Sequence, residues 1–247
     1  MMYNMQSVAQ ICNSLERKMK IATILMDIDG TMTEKLPGSE SVQSDPLKLL
    51  IPPVVQKFGI SDSEAEIKIR SCGDIEKRCI SEVLPQLGIE KSLYFNVMRD
   101  AMKKKIIITP DTLRFFRKMK EINIPVCTAS TNSVFMSLAK LSAAGIADLN
   151  GCSFIAKYHP GCEFGDPEGK FSPDYFPAIL RNHGYDPERT MMIGDEPKRD
   201  FYPARNAGIR YCVIIDRKQN EPVLRKDGAV FINSLDILTV MIQEETL

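Results

Sequence analysis

Short apolar runs recur along the chain at 21–26, 124–128, 190–193 and 210–215, with a shorter one at 229–232. They are continuous rather than alternating, which is the pattern of strands buried on both faces. Between them the apolar positions change to helical spacing. Thr109-Pro110-Asp111 supplies a cap and a first-turn proline, and Leu113, Phe116 and Met119 follow three residues apart. A second helix is predicted over 132–144, closed by Gly145, and a third from Ser172-Pro173-Asp174 to His183-Gly184. Such alternation predicts an α/β fold, a parallel sheet with helices on both faces. From 45 to 105 the strand signal is replaced by helical patterns at 45–58, 62–72, 74–86 and 90–104, broken at Gly59 and Gly88. The expected organisation is therefore a core built from 1–36 and 106–247 and interrupted by a helical domain over 37–105. Its entry is the polar stretch 34–44, with Pro37 and Gly38. Val8, Ile11, Cys12, Leu15 and Met19 predict a further short helix over 6–19.

Composition narrows the class. The 247 residues are 44% hydrophobic and 26% charged, enough for a sizeable core. The 32 basic and 32 acidic residues cancel, which argues against a nucleic-acid binder that relies on bulk charge. No run of 18 apolar residues is present, so no membrane span is expected. Lys18 and Lys20 follow rather than precede the weak N-terminal apolar pattern, unlike a signal peptide. The seven cysteines are scattered without a C-x-x-C pair, which suits free thiols in a reducing, cytoplasmic setting.

The chemistry sits where the apolar runs end. Met26-Asp27-Ile28-Asp29-Gly30-Thr31 places two carboxylates at the tip of the first strand, and open α/β sheets bind ligands beyond the carboxyl ends of their strands. Two close carboxylates can hold a hard divalent cation or divide nucleophilic and acid–base work. An Asp-Gly turn capped by Asp29 is the plainer alternative. Further on, the second run ends in Thr128-Ala129-Ser130-Thr131-Asn132, Lys170 stands just before a helix start, and Gly194-Asp195 is followed by Asp200. A phosphate monoester is a dianion. Each unit charge of an attacking carboxylate against it costs roughly 4 kcal/mol at about 4 Å and an effective dielectric near 20. A bound divalent cation and a lysine would offset that repulsion, and hydroxyl and backbone N–H groups would hold the phosphoryl oxygens.

The order Asp-x-Asp, Thr, Lys, Asp…Asp resembles the haloacid dehalogenase-like superfamily of phosphohydrolases, over most of residues 20–215. The resemblance implies a Rossmann-like core with a small α-helical cap inserted between the first and second motifs, Mg2+ as cofactor, and a small phosphate ester as substrate. It implies that Asp27 is the nucleophile and a metal ligand, and that Asp29 is the general acid and base with its carbonyl on the metal. Thr128, with Ala129 and Ser130, would bind phosphate, and Lys170 would bridge phosphate and Asp27. Asp195 would be a metal ligand, Asp200 would orient Lys170 or the metal's surroundings, and Thr31 would tie the turn. Plainer readings remain open: Thr128 as a helix cap, Lys170 as a solvated lysine, Asp200 as a first-turn helix acid. The expected activity is Mg2+-dependent hydrolysis of a small phosphorylated metabolite through an aspartyl-phosphate. A sugar phosphomutase and a non-catalytic phosphate binder are the alternatives. The resemblance implies that a phosphomutase would carry a His a few residues after Asp-x-Asp; His159 and His183 both lie far downstream, which disfavours it. Arg70, Arg78, Arg99 and nearby lysines are candidates for a second anionic group. Lys103-Lys104-Lys105 reads as a solvated face and 158–166 as a surface loop that borders the site. Neither the substrate nor the oligomeric state is legible.

Overall fold

The computed structural model describes residues 21–73, 80–165 and 168–247. The first apolar run becomes β1 (Thr23–Met26), buried on both faces, with Ile24 and Met26 in one core and Leu25 in the other. After the Asp-Gly turn comes β2 (Thr33–Lys35), and then the helices α1 (Pro46–Phe58), α2 (Asp62–Arg70) and α3 (Lys91–Lys105). Their ends are set by local chemistry. Asp45 accepts from the N–H of Leu47, Gly59 closes α1 in the left-handed conformation, and Ser61 and Glu64 form a reciprocal capping box on α2. α3 runs directly into β3 (Ile106–Ile108), which pairs antiparallel with β2, Thr33 opposite Ile108. The helical segment thus leaves and re-enters the core through a two-stranded stem. Neither stem strand was predicted, because three residues are too few to show a period.

The rest of the chain forms α4 (Pro110–Glu121), β4 (Val126–Ser130), α5 (Val134–Ala143), β5 (Ala147–Asp148), β6 (Gly151–Cys152), β7 (Lys157–Pro160), α6 (Gly161–Phe164), α7 (Tyr175–His183), β8 (Thr190–Gly194), α8 (Tyr202–Asn206), β9 (Tyr211–Ile215), β10 (Val223–Lys226), β11 (Ala229–Ile232) and α9 (Leu235–Gln243). The main sheet has the order β10-β11-β9-β8-β1-β4-β7. All its pairs are parallel except β10 with β11. The strand β1 is therefore interior, flanked by β4 and β8, and the tips of these three parallel strands lie at one end of the sheet. Phe115, Phe116 and Met119 of α4 pack with Leu235 and Leu238 of α9 on one face. Tyr175, Phe176 and Ile179 of α7 cover the other. This is the expected α/β, Rossmann-like parallel sheet with helices on both faces.

Two expectations about the helical segment change. The helix predicted over 74–86 lies partly outside the described residues, and its described part is a 3-10 turn at Ile80–Glu82 followed by turns. Pro85 accounts for this, since its ring would clash with the carbonyl four residues earlier in an α-helix. The segment's apolar interior also includes Phe135, Leu138 and Ala139 of α5. Tyr94 of α3 stacks on Phe135 with centroids 5.4 Å apart, and Phe95 meets the same ring edge-on at 5.5 Å. The segment is therefore docked on the core by shared aromatic packing. The helix predicted over 6–19 lies outside the described residues. Among the described residues no helix is long and apolar enough to cross a membrane.

Candidate active site

Asp27 follows β1 directly, and its backbone N–H donates to the carbonyl of Ile193 in β8 at 2.9 Å. The turn after it is closed by Gly30 N–H to Thr33 O and by Met32 and Thr33 N–H to Ile28 O. Gly30 sits at φ +80°, and a Cβ there would collide with the Asp195 carboxylate. Only glycine lets the first motif lie this close to the fourth. Thr31 does not tie the turn as expected: its buried hydroxyl has no partner among the described residues. Thr33 takes that role, its hydroxyl donating to Ile28 O at 3.1 Å, because the chain reverses into β2 at that residue.

Lys170 reaches the same point from the opposite side. It lies in the 3-10 turn Gly169–Phe171 and is only 3% exposed. Its ammonium donates to Asp27 Oδ1 at 2.5 Å and to Asp200 Oδ1 at 2.6 Å. Gly169 makes this possible. It adopts φ +58°, and a Cβ would press within 2.6 Å of the Thr131 methyl. Asp200 comes from the π-helical turn Pro197–Phe201 and also accepts from the N–H of Glu196 at 3.0 Å. The solvated-lysine and helix-acid readings of Lys170 and Asp200 are thereby set aside.

The carboxylates of Asp27, Asp195 and Asp200 can each place an oxygen within 4.8 Å of the others. Three oxygen donors so arranged suit a hard cation such as Mg2+ better than a soft one. Burial pushes the Asp27 carboxyl up despite the opposing pull of Lys170. Burial and the Asp200 charge push Asp195 up to about 6. Carboxyls raised in this way are ones that a bound cation would deprotonate.

Asp29 is held quite differently. Lys140, in α5, donates to both its oxygens at 2.6 and 2.8 Å, and Asn132 Nδ2 donates to Oδ2 at 2.8 Å. Burial raises this carboxyl, but Lys140 and Asn132 outweigh it and hold it below the ordinary range. Lys140 was missed by sequence reading, since a lysine in mid-helix carries no signal of its own. Asn132, noted in the turn after the second run, also donates from Nδ2 to Ser130 Oγ at 2.8 Å.

The second motif needs a correction. The strand β4 runs on to Ser130, two residues past its predicted end, because residues 127–130 pair with β7, an edge strand the sequence hid. Thr128 is therefore inside the ladder, its hydroxyl accepting from the N–H of His159 at 3.2 Å. Ala129 is buried in the core under α7. Ser130 and Thr131 instead line the cavity with Asp27, Asp29, Lys170 and Asp195, a space of about 900 Å³. Arg217, also unread in the sequence, reaches back from the end of β9 to the first motif. It donates to the carbonyls of Gly30 at 3.1 Å and Thr31 at 2.9 Å and to the Thr109 hydroxyl at 3.0 Å. Arg70 pairs with Glu66 and Arg99 with Asp100, both on exposed faces, and Arg78 lies outside the described residues. His159 and His183 pack on each other with centroids 4.5 Å apart, off the cavity.

The family model of haloacid dehalogenase-like hydrolases matches residues 21–208. No curated protein matches the chain in sequence. Among solved structures, a HAD phosphatase from Thermococcus onnurineus is similar with a TM-score of 0.53 and 20% identity, over 90% of this chain and 98% of that one. The HAD-hydrolase YfnB of Bacillus subtilis, bound to magnesium, is similar with a TM-score of 0.51 and 14% identity, over 90% and 99%. The L-2-haloacid dehalogenase of Xanthobacter autotrophicus gives 0.51 and 12%, over 90% and 98%. These likenesses carry the fold, and the family model covers the strands that bring the four motifs together. The chain belongs to the haloacid dehalogenase-like hydrolases.

Proposed function

We propose that the protein is a Mg2+-dependent phosphatase of small phosphate esters, with Asp27 as nucleophile. The observation that carries this reading is the buried Lys170 ammonium held between Asp27 and Asp200, with Asp195 beside them. The arrangement fixes one carboxylate by its ammonium partner and surrounds it with oxygen donors for a cation. Asp27, Asp195 and the carbonyl of Asp29 would hold Mg2+, with Asp200 close by. When bound, the cation would neutralise charge on the transferring phosphoryl group. Ser130 and Thr131 are placed to bind its remaining oxygens.

In the first step a carboxylate oxygen of Asp27 bonds to phosphorus as the bond to the leaving oxygen breaks. Asp29, kept ionised by Lys140 and Asn132 in the free site, first takes up a proton from the bound ester monoanion or from solvent and gives it to that oxygen. In the second, water passes its proton to Asp29 and displaces the carboxylate, releasing inorganic phosphate and freeing Asp27. Asp29 also favours esters over carbon–halogen bonds, because an alkoxide needs a proton to leave and a halide does not. Lys140 and Asn132 aim its carboxylate. The residues 37–105 are read as the cap, docked on α5. A HAD phosphatase and a magnesium-bound HAD hydrolase among the structural relatives support the phosphatase and Mg2+ readings.

The test is release of p-nitrophenol from p-nitrophenyl phosphate with and without Mg2+. Turnover that needs Mg2+ is expected; a cation-independent rate or none on any phosphate ester overturns the proposal. The cation competes with protons on Asp27 and Asp195, so its apparent affinity is expected to weaken as pH falls through 6. The loss is about tenfold per pH unit for each proton displaced. A pH-independent affinity between 5 and 8 would mean that these carboxylates do not bind it.

Arg217→Ala should lower the p-nitrophenyl phosphate rate roughly 100-fold by releasing the carbonyls of Gly30 and Thr31. It should cost about 1.5–3 kcal/mol of stability. A thermal melt beside the rate measurement checks both, and an unchanged rate would reduce Arg217 to a surface contact.

A further inference from the structure

We infer that the substrate carries a second anionic group, a carboxylate or a second phosphate, about a short carbon skeleton away from the phosphate that is cleaved. This rests on the phosphatase reading above and names the substrate class of that same site. A smaller cavity of about 340 Å³ opens beside Asp29 and Gly30, between α1 and α3 on one side and α5 on the other. It has room for about eleven waters, or a comparable number of ligand atoms.

Its charge is lopsided. Lys35, Lys105 and Lys140 line it, against the single carboxylate of Asp29. Lys140 is committed to Asp29, with its ammonium also donating to Asn132 Oδ1 at 2.9 Å. Lys105 is half-buried and, among the described residues, touches only neutral oxygens, those of Ser44 and Val42. Lys35 ends β2 with its side chain exposed toward both cavities and no carboxylate partner among the described residues. Two lysines thus line the cavity without a carboxylate partner among the described residues. They converge from the stem and the end of α3, so the fold and not a flexible run brings them together. This differs from the solvated face expected for 103–105, of which only Lys103 and Lys104 are exposed.

Part of the wall is apolar, formed by Pro46, Met102, Ile106 and Met136. A ligand filling this space would present carbon to that wall and charge to the lysines. A phosphate ester with no second charge would leave both ammonium groups unmet. The distance is set by Asp29: the leaving oxygen lies at its carboxylate, so the second anion belongs to the leaving group.

The experiment is calorimetric titration of the protein, with Mg2+ present, by three ligands that are not turned over: propylphosphonate, 3-phosphonopropionate and propane-1,3-bisphosphonate. The two doubly charged ligands are expected to bind at least about tenfold tighter than propylphosphonate. The tighter of the two identifies the second group as carboxylate or phosphate. Lys105→Met and Lys35→Met should each erode that advantage several-fold and together abolish it, with propylphosphonate affinity unchanged in Lys105→Met, which lines the smaller cavity alone. Lys35 is exposed at the stem, so its variant keeps the test readable if Lys105→Met unsettles α3. Equal affinity for all three ligands, or variants that weaken all three alike, would overturn the inference. Binding is read without turnover, so a surviving preference beside absent hydrolysis would strike the phosphatase reading alone. No binding of any of the three would strike both.

Discussion

Asp27→Asn is expected to reduce phosphate-ester turnover on the order of 10⁴-fold or more, as removal of a covalent nucleophile does, while the protein stays folded. The side chain keeps its shape and loses the charge that, in the proposed mechanism, attacks phosphorus. Its effect on stability follows from its neighbours. In the native site one ammonium, that of Lys170, faces the carboxylates of Asp27 and Asp200, with Asp195 nearby. Burial already disfavours charge on Asp27. Removing one of these carboxylates leaves Lys170 matched by Asp200, so the melting temperature without Mg2+ should hold or rise. The added stability that Mg2+ gives the wild type should shrink, since one ligand is weakened. Rate, melting temperature and its Mg2+ dependence, measured side by side, check all three. Near-normal turnover would mean that Asp27 is not the nucleophile, and a collapsed melting temperature would mean that its charge holds the fold together.

What could be read from the chain alone divides along physical lines. β1 and β8 were legible because they are buried on both faces, which leaves a continuous apolar run ending abruptly in Asp27 and in Gly194-Asp195. β7 was not, since Lys157-Tyr158-His159-Pro160 is a short edge strand whose sequence mixes charge, ring and proline. That omission moved the end of β4 and with it the hydroxyl that lines the cavity, from Thr128 to Ser130. Lys170 was found by its place in an order of motifs and not by its own surroundings, which read as loop. The glycines that carry it, Gly169 above all, show their purpose only through their neighbours in space. Lys140 and Arg217 illustrate the limit most clearly. Each acts on the first motif from more than a hundred residues away, across contacts that no local spacing encodes. The docking of the helical segment on α5 was hidden for the same reason, because Phe135 reads as an ordinary helix residue until Tyr94 and Phe95 are placed against it.

Lys170→Met separates the two tasks that the buried ammonium performs. Its methyl end fills the space but leaves Asp27 and Asp200 facing each other without a cation, and breaking a buried pair in this way costs about 3–5 kcal/mol. The sign of the pH effect follows. With the ammonium gone, carboxylates that must be charged at neutral pH are penalised in the folded state. Their protonation is favoured there over the unfolded chain, and stability is lost as pH rises through their raised titration range. The variant should therefore be most destabilised relative to wild type near pH 8 and recover toward pH 5. Mg2+ supplies charge to the same carboxylates, so it should restore much of the melting temperature at neutral pH. It should not restore turnover. In the proposed reaction Lys170 would also offset the repulsion between the Asp27 carboxylate and an approaching phosphate dianion, and that loss should keep the rate roughly 10²–10³-fold down even with Mg2+ saturating. Thermal melts across pH with and without Mg2+, beside initial rates, distinguish the roles. Recovery of both stability and rate by the cation would show that Lys170 acts through charge balance alone. Recovery of stability without rate would place its ammonium on the reacting phosphoryl group.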